Sequence, residues 1–175
     1  NGCRKDTTAP ITLNLRASLN YPALAAVCEN TPALSVATAT VTNLVAGTGV
    51  YGGPGTTAAG IFNPGLAGPG THNLYYAFNT TAGSCKDTVW RSIVVKSKPR
   101  PNFTTTNGAC LPANGLVQFN YSGSSFAGQT YSWSFNDPNA TAGNPNNATI
   151  ANPSHNFQTG TYNVNLSVTA NGCTH

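Results

Sequence analysis

"GTYNVNLSVTANGC", residues 160–173, decides the fold. Tyr162, Val164, Leu166 and Val168 fall on one side of an extended chain, with Thr161, Asn163, Asn165 and Ser167 on the other. A period of two predicts a β-strand with one face in a core and the other in water. The alternation recurs at Val117, Phe119 and Tyr121, at Tyr131, Trp133 and Phe135, at Leu74, Tyr76 and Phe78, and at Ile11, Leu13 and Leu15. Between these runs lie "GTGVYGGPG" (47–55), "NPGLAGPG" (63–70) and "NDPNATAGNPNN" (136–147), whose Gly, Pro and Asn content reads as turns. Only "YPALAAVC" (21–28) passes for a helical turn, and Pro22 limits it to that. The expected fold class is all-β, made of antiparallel β-sandwiches.

Composition narrows the setting. Charged residues make up 7% of the 175, against about 25% in ordinary soluble domains. The surface is therefore Thr, Ser, Asn and Gly, weakly self-repelling and suited to packing against neighbours or glycans. The hydrophobic content of 39% is enough for a core, which excludes a disordered chain. The net charge of +4 owes much to "KDTVWRSIVVKSKPR" (86–100), a strand running into a proline-bracketed linker. Solvated edge charges explain it, and no nucleic-acid partner is expected. No apolar run approaches the roughly 20 residues needed to cross a bilayer, so membrane insertion is not expected either. Any export signal is expected to have been removed or to lie upstream.

Cysteines stand at Cys3, Cys28, Cys85, Cys110 and Cys173, without a C-x-x-C pair or a His at metal spacing. Neither zinc nor another metal is expected. The spacing pairs Cys28 with Cys85 and Cys110 with Cys173, each closing a loop of about 60 residues worth about 4 kcal/mol, and leaves Cys3 over. Such bridges imply an oxidising compartment.

Pro99 and Pro101 mark a boundary between a module spanning 17–98 and another spanning 99–175. The chain also contains its own comparison. Cys85 leads into Lys86-Asp87-Thr88 and, eight residues on, Ile93; Cys3 leads into Lys5-Asp6-Thr7 and, eight residues on, Ile11. Asn-Gly-Cys occurs at 1–3 and again at 171–173. The segment 1–16 thus reads as the last strand of a preceding or neighbouring module, and 99–175 as a module lacking that strand. This is a repeat in a shifted frame. The expected partners are neighbouring copies of the same repeat or subunit, with the Asn1 to Leu15 strand pairing to a sheet edge, and possibly glycans.

Tyr131, Trp133, Phe135, Asp137, "NPSHNF" (152–157) and "GTYNVNLSVTANGC" (160–173) resemble the polycystic-kidney-disease (PKD) domain, a small Ig-like β-sandwich. The likeness covers roughly 99–175. It implies that Trp133 is core and that Pro153, His155 and Phe157 form a tight turn; "NDPN" departs from the family's Gly-Asp-Gly. Residues 17–98, with "VCEN", "GVYGGPG", "IFNPGLAGPGTHNLYYAF" and "GSCKDTVW", resemble Ig-like repeats that alternate with PKD domains in very long surface proteins of Bacteroidota. Such proteins are exported through the type IX system and include gliding adhesins. The resemblance implies an extracellular, repeat-built adhesin or filament at the cell surface. Asp87-Thr88-Val89 and Asp6-Thr7-Thr8 are similar to the O-glycosylation signal of that phylum, with Thr88 and Thr7 as acceptors.

Few side chains here can converge on chemistry. The carboxylates are Asp6, Glu29, Asp87 and Asp137, and Asp6 and Asp87 are equivalent repeat positions. No catalytic residues, no cofactor and no enzymatic activity are expected. Asp137 in its Asn-rich loop offers at most a weak calcium site, and His155 reads as a structural hydrogen-bond donor. Trp90 is ambiguous, because Val89, Arg91, Ile93 and Val95 alternate against Trp90, Ser92 and Val94. Either the strand is buried on both faces, which is the expectation, or Trp90 is exposed for contact with a glycan or a neighbouring module. The expected function is a non-enzymatic structural repeat of an extracellular filament or adhesin; the alternative is a carbohydrate-binding accessory module of a secreted polysaccharide-degrading enzyme.

Overall fold

The computed structural model describes residues 7–106, 108 and 110–175. Its elements in chain order are β1 (Leu19–Asn20), β2 (Val27–Cys28), β3 (Leu34–Ser35), β4 (Thr40–Val41), β5 (Gly47–Gly52), β6 (Ile61–Phe62), α1 (Pro64–Ala67), β7 (Gly70–Thr80), β8 (Lys86–Lys96), β9 (Phe103–Thr105), β10 (Leu116–Tyr121), β11 (Thr130–Ser134), β12 (Asn147–Ala148), β13 (Ser154–Asn156), β14 (Asn165–Ala170) and β15 (Cys173–Thr174). The chain is all-β and its sheets are mainly antiparallel. It divides into two compact units: residues 1–26, 31–67 and 71–94, and residues 27–30, 68–70 and 95–175.

In the first unit β8, β7 and β5 lie side by side, with β1–β4 and β3–β6 as short antiparallel pairs. "GTGVYGGPG" is therefore not all turn: its first six residues are β5, in register with β7 from Gly47↔Thr80 to Gly52↔Tyr75. The glycines are there because aromatic rings lie across them. A Cβ on Gly49 would run into the Tyr76 ring, and one on Gly52 into the Tyr75 ring. Cross-strand aromatics thus cover backbone that carries no side chain of its own. Tyr21, Val36, Phe62, Leu74, Phe78 and Ile93 form the core, threaded by ring contacts from Tyr21 to Tyr51 and on to Tyr76. The sole helix among the described residues is not at "YPALAAVC" but in "NPGLAG", where Asn63 Oδ1 accepts from Leu66 N and Pro64 opens the turn.

The second unit is a sandwich of two antiparallel sheets, β13-β10-β9 and β12-β11-β14-β15. Alternation sends Phe119 from one sheet and Trp133 from the other into a shared core with Phe135 and Phe157; Phe103, Val117, Val164 and Leu166 pack against it. Trp133 Nε1 donates to Ile150 O at 3.0 Å, so its one polar atom is satisfied. β14 is shorter than the alternation predicts, beginning at Asn165 rather than Thr161. It turns into β15 through Asn171 (φ 54°) and Gly172 (φ 77°), the two left-handed residues that an Asn-Gly hairpin turn requires.

The cysteine pairing expected from spacing is wrong. Cys28 is bonded to Cys173, 145 residues away in sequence, and Cys85 and Cys110 are free thiols. The reason is a parallel pairing that spacing cannot reveal: β2 lies along the end of β8, Val27↔Val95 and Cys28↔Lys96, within the second unit. There Asn30 Nδ2 donates to Thr174 O at 2.9 Å, placing residues 28–30 beside β15. Cys3, predicted to be left over, lies outside the described residues.

Candidate functional site

The second unit is open along one side. β9 is an edge of one sheet; on the other, β15 pairs with β14 only at Thr169↔Thr174 and Ala170↔Cys173, extended by mutual bonds between Val168 and His175. Among the described residues no strand pairs with that edge of β14 beyond Val168. A cleft of about 510 Å³ opens there, bounded by Phe103 and Thr105 of β9, Val117 and Phe119 of β10, and residues 162–165. A second cleft of about 290 Å³ shares Val117, Phe157 and Tyr162 with it and reaches Leu111 and Gly160. Core rings Phe103, Phe119 and Phe157 thus form the floor of a groove beside residues 162–165.

The expected leading strand is not a strand within its own chain. Residues 1–6 lie outside the described set, and 7–18 adopt no regular structure. Ile11, Leu13 and Leu15 are 82%, 89% and 68% exposed. The chain is held from Asn14, whose carbonyl accepts from Cys85 Sγ, and from Arg16, which reaches Asp87 and Lys86 O and whose carbonyl accepts from Asn43 Nδ2 at 2.8 Å.

Trp90 is 58% exposed, which overturns the reading of β8 as buried on both faces. Ile93 and Val95 point into cores; Trp90 and Val94 point out. Tyr75 of β7 meets the Trp90 ring at 5.0 Å between centres. Trp90, with Asn73, Arg91 and Ser92, also lines a shallow polar depression. This is an outward aromatic pair with neighbouring hydrogen-bonding groups, an arrangement able to stack on a sugar ring.

Thr88 is exposed on β8, and its N–H donates to its neighbour Asp87 Oδ1 at 2.9 Å; Thr7 is also exposed. Both hydroxyls are reachable, although Asp6 beside Thr7 lies outside the described residues. Among the N-x-S/T sequons, Asn79, Asn102, Asn139, Asn147 and Asn165 are exposed, whereas Asn120 is half-buried in β10.

Asp137 and His155 do meet, in the core. His155 Nε2 and Asp137 Oδ2 are 3.0 Å apart with both side chains almost wholly buried. Asp137 Oδ1 accepts from Asn139 N at 2.9 Å. Chiefly that backbone bond, opposed by burial and helped by His155, holds the Asp137 carboxyl below the usual carboxylate range. His155 stacks on Phe135 and packs edge-on to Phe157. Sealed from solvent, the pair fastens the 136–147 loop to β13, a structural task; His155 lies in a strand paired with Val117 of β10, not in the tight turn the resemblance implied. Both Asp137 oxygens are committed within the protein, and among the described residues no three His, Cys, Asp or Glu side chains gather to hold a metal.

In comparisons with known proteins, no protein-family model matches the chain and no curated protein matches it significantly. Nor is any helix among the described residues long and apolar enough to cross a membrane. What the fold defines is a class: an all-β chain stapled by a disulfide.

Proposed function

We propose that this chain is a non-enzymatic structural module of an extracellular filament or giant surface adhesin. The observation that carries the reading is the Cys28–Cys173 bond. Tension applied across the chain enters at one end, reaches Cys28, crosses the sulfurs to Cys173 and leaves, so residues 29–172 lie outside the covalent path. Sheets held by backbone hydrogen bonds resist the initial pull, and the disulfide caps how far the chain can lengthen. Such a bond persists in an oxidising, extracellular setting. The low charge and the resemblance of residues 99–175 to PKD sandwiches support the same reading.

Single-molecule pulling between the two ends tests it. At about 3.4 Å per residue, reduction should release on the order of 500 Å of hidden length, while the oxidised chain should extend only through its short terminal segments. Equal contour lengths in both redox states would sink the reading.

A second reading, a carbohydrate-binding accessory module of a secreted polysaccharide-degrading enzyme, is favoured by the outward Trp90–Tyr75 pair. A glycan array comparing wild type with Trp90→Ala checks it: binding that Trp90→Ala abolishes supports this reading, and no binding to any polysaccharide removes it.

A further inference from the structure

We propose that the Asp137–Pro138 peptide bond is a self-cleavage site, at which the Asp137 carboxylate attacks its own main-chain carbonyl and releases Pro138 as a new amino terminus. The inference goes beyond the structural-module reading and requires no turnover, since each chain cuts itself once.

The sequence supplies the reacting groups. In "NDPN" (136–139) an Asp stands before a Pro. An aspartate oxygen and its own carbonyl carbon close a small ring, so nucleophile and electrophile are held together from the start. Before other residues a competing attack, by the following N–H on the side chain, closes an imide instead. Pro138 has no N–H, which leaves the carboxylate attack as the open route.

The fold supplies the geometry. Asp137 Oδ1 accepts from Asn139 N at 2.9 Å, and the ring closed by that bond contains the Asp137–Pro138 linkage, so the carboxylate is folded forward along it. His155 Nε2 holds Oδ2 at 3.0 Å. The carbonyl under attack is polarised as well: Asp137 O accepts from Asn146 Nδ2 at 3.0 Å and from Ala140 N at 3.2 Å. Two N–H donors on that oxygen stabilise the negative charge it takes up as the tetrahedral adduct forms. Asp137 is 2% exposed, which strengthens these bonds. Pro138 and Asn139 are exposed, so the leaving nitrogen meets water.

In the first step Oδ1 bonds to the Asp137 carbonyl carbon. As the adduct collapses, the bond to Pro138 N breaks; its electron pair stays on that nitrogen, which takes a proton from solvent. Residue 137 is left as a cyclic anhydride, and one water opens it. The balance is one peptide bond and one water consumed, one carboxyl and one amine formed. The reaction asks for an ionised carboxylate in a medium acidic enough to protonate the departing nitrogen. In an ordinary Asp the first condition fails below about pH 4. The Asn139 N–H chiefly holds the Asp137 carboxyl below its usual range, so both conditions are met to lower pH. His155 is the titratable group bonded to Asp137, and its protonated form also favours the ionised carboxylate; the neighbouring Asn139, Asn144 and Asn146 are neutral.

The test holds the whole wild-type chain at about pH 4, folded in one sample and unfolded by guanidinium chloride in the other, with circular dichroism to verify each state. Reducing gels of the folded sample should show residues 1–137 and 138–175, with Pro138 as the new amino terminus, appearing about tenfold or more faster than in the unfolded sample. Hydroxylamine should trap the anhydride as a hydroxamate on Asp137. Asp137→Asn and Pro138→Ala should abolish the cut. Asn146→Asp keeps the acceptor for Asp137 N but loses the donor to Asp137 O, and should slow the cut by about tenfold or more. An uncut folded chain, a first cut at another bond, a folded rate equal to or below the unfolded one, or Asp137→Asn cutting at the wild-type rate would overturn the proposal. The folded-to-unfolded comparison decides the matter even if a variant fails to fold. Each of those results leaves the pulling experiment free to succeed, so failure of self-cleavage and failure of the structural-module reading are distinguishable.

Discussion

His155 donates its Nε2 proton to Asp137 Oδ2 across 3.0 Å, and its ring lies against Phe135 with centres 4.4 Å apart. A carboxylate offers acceptors only, so the hydrogen in this bond is carried by His155 Nε2. The Asp137 carboxyl is held below its ordinary range, chiefly by the Asn139 N–H. A lowered folded-state value means that the carboxylate stabilises the fold above about pH 4, and that this contribution is lost as pH falls from there through the folded value. Thermal midpoints followed down an acid series should therefore fall below about pH 4. Asp137→Asn should start lower at neutral pH and lose less on acidification; an unchanged acid limb would refute the assignment.

Trp133 is 1% exposed, at the junction of both sheets, with its N–H satisfied. Trp133→Ala should cost about 3–5 kcal/mol in denaturant unfolding. Trp133→Phe, which keeps a ring but leaves Ile150 O without its donor, should cost less, about 1–3 kcal/mol. Trp90→Ala should fall within about 0.5 kcal/mol of wild type, because the side chain is more than half in water. Equal costs at the two tryptophans would contradict the burial described above.

Gly52→Ala forces a methyl group into the Tyr75 ring. Overpacking of this kind costs about 1–3 kcal/mol, and the displaced Tyr75 ring should loosen Trp90, visible as a change in tryptophan fluorescence. Gly143→Ala, where nothing lies within 4 Å, serves as the silent control.

Peptide mapping without reductant should recover a Cys28–Cys173 cross-linked pair. Cys110, exposed, should alkylate in the native state ahead of half-buried Cys85. Cys28→Ser should destabilise by about 2–5 kcal/mol. A Cys28–Cys85 peptide would show that the spacing argument was right after all.

Alternation carried most of the sheet architecture, because a strand between core and solvent writes its two faces directly into the sequence. β10, β11 and the apolar positions of β7 were legible for that reason. β5 was not: its glycines carry no hydropathy, and their purpose lies in the rings of Tyr75 and Tyr76 on another strand. The exposure of Trp90 was equally hidden, since both faces of β8 carry apolar residues. The disulfide depended on β2 lying parallel to the end of β8, a contact between residues far apart in the chain that leaves no local trace. The groove was not legible: the rings of Phe103, Phe119 and Phe157 that floor it come from separate strands and meet only in the fold.

The Cys28–Cys173 bond also has a bearing on wear. A protease that severs any one peptide bond between residues 29 and 172 creates two fragments, yet they remain a single covalent molecule. In a harsh medium this chain can take a single cut anywhere along most of its length without parting.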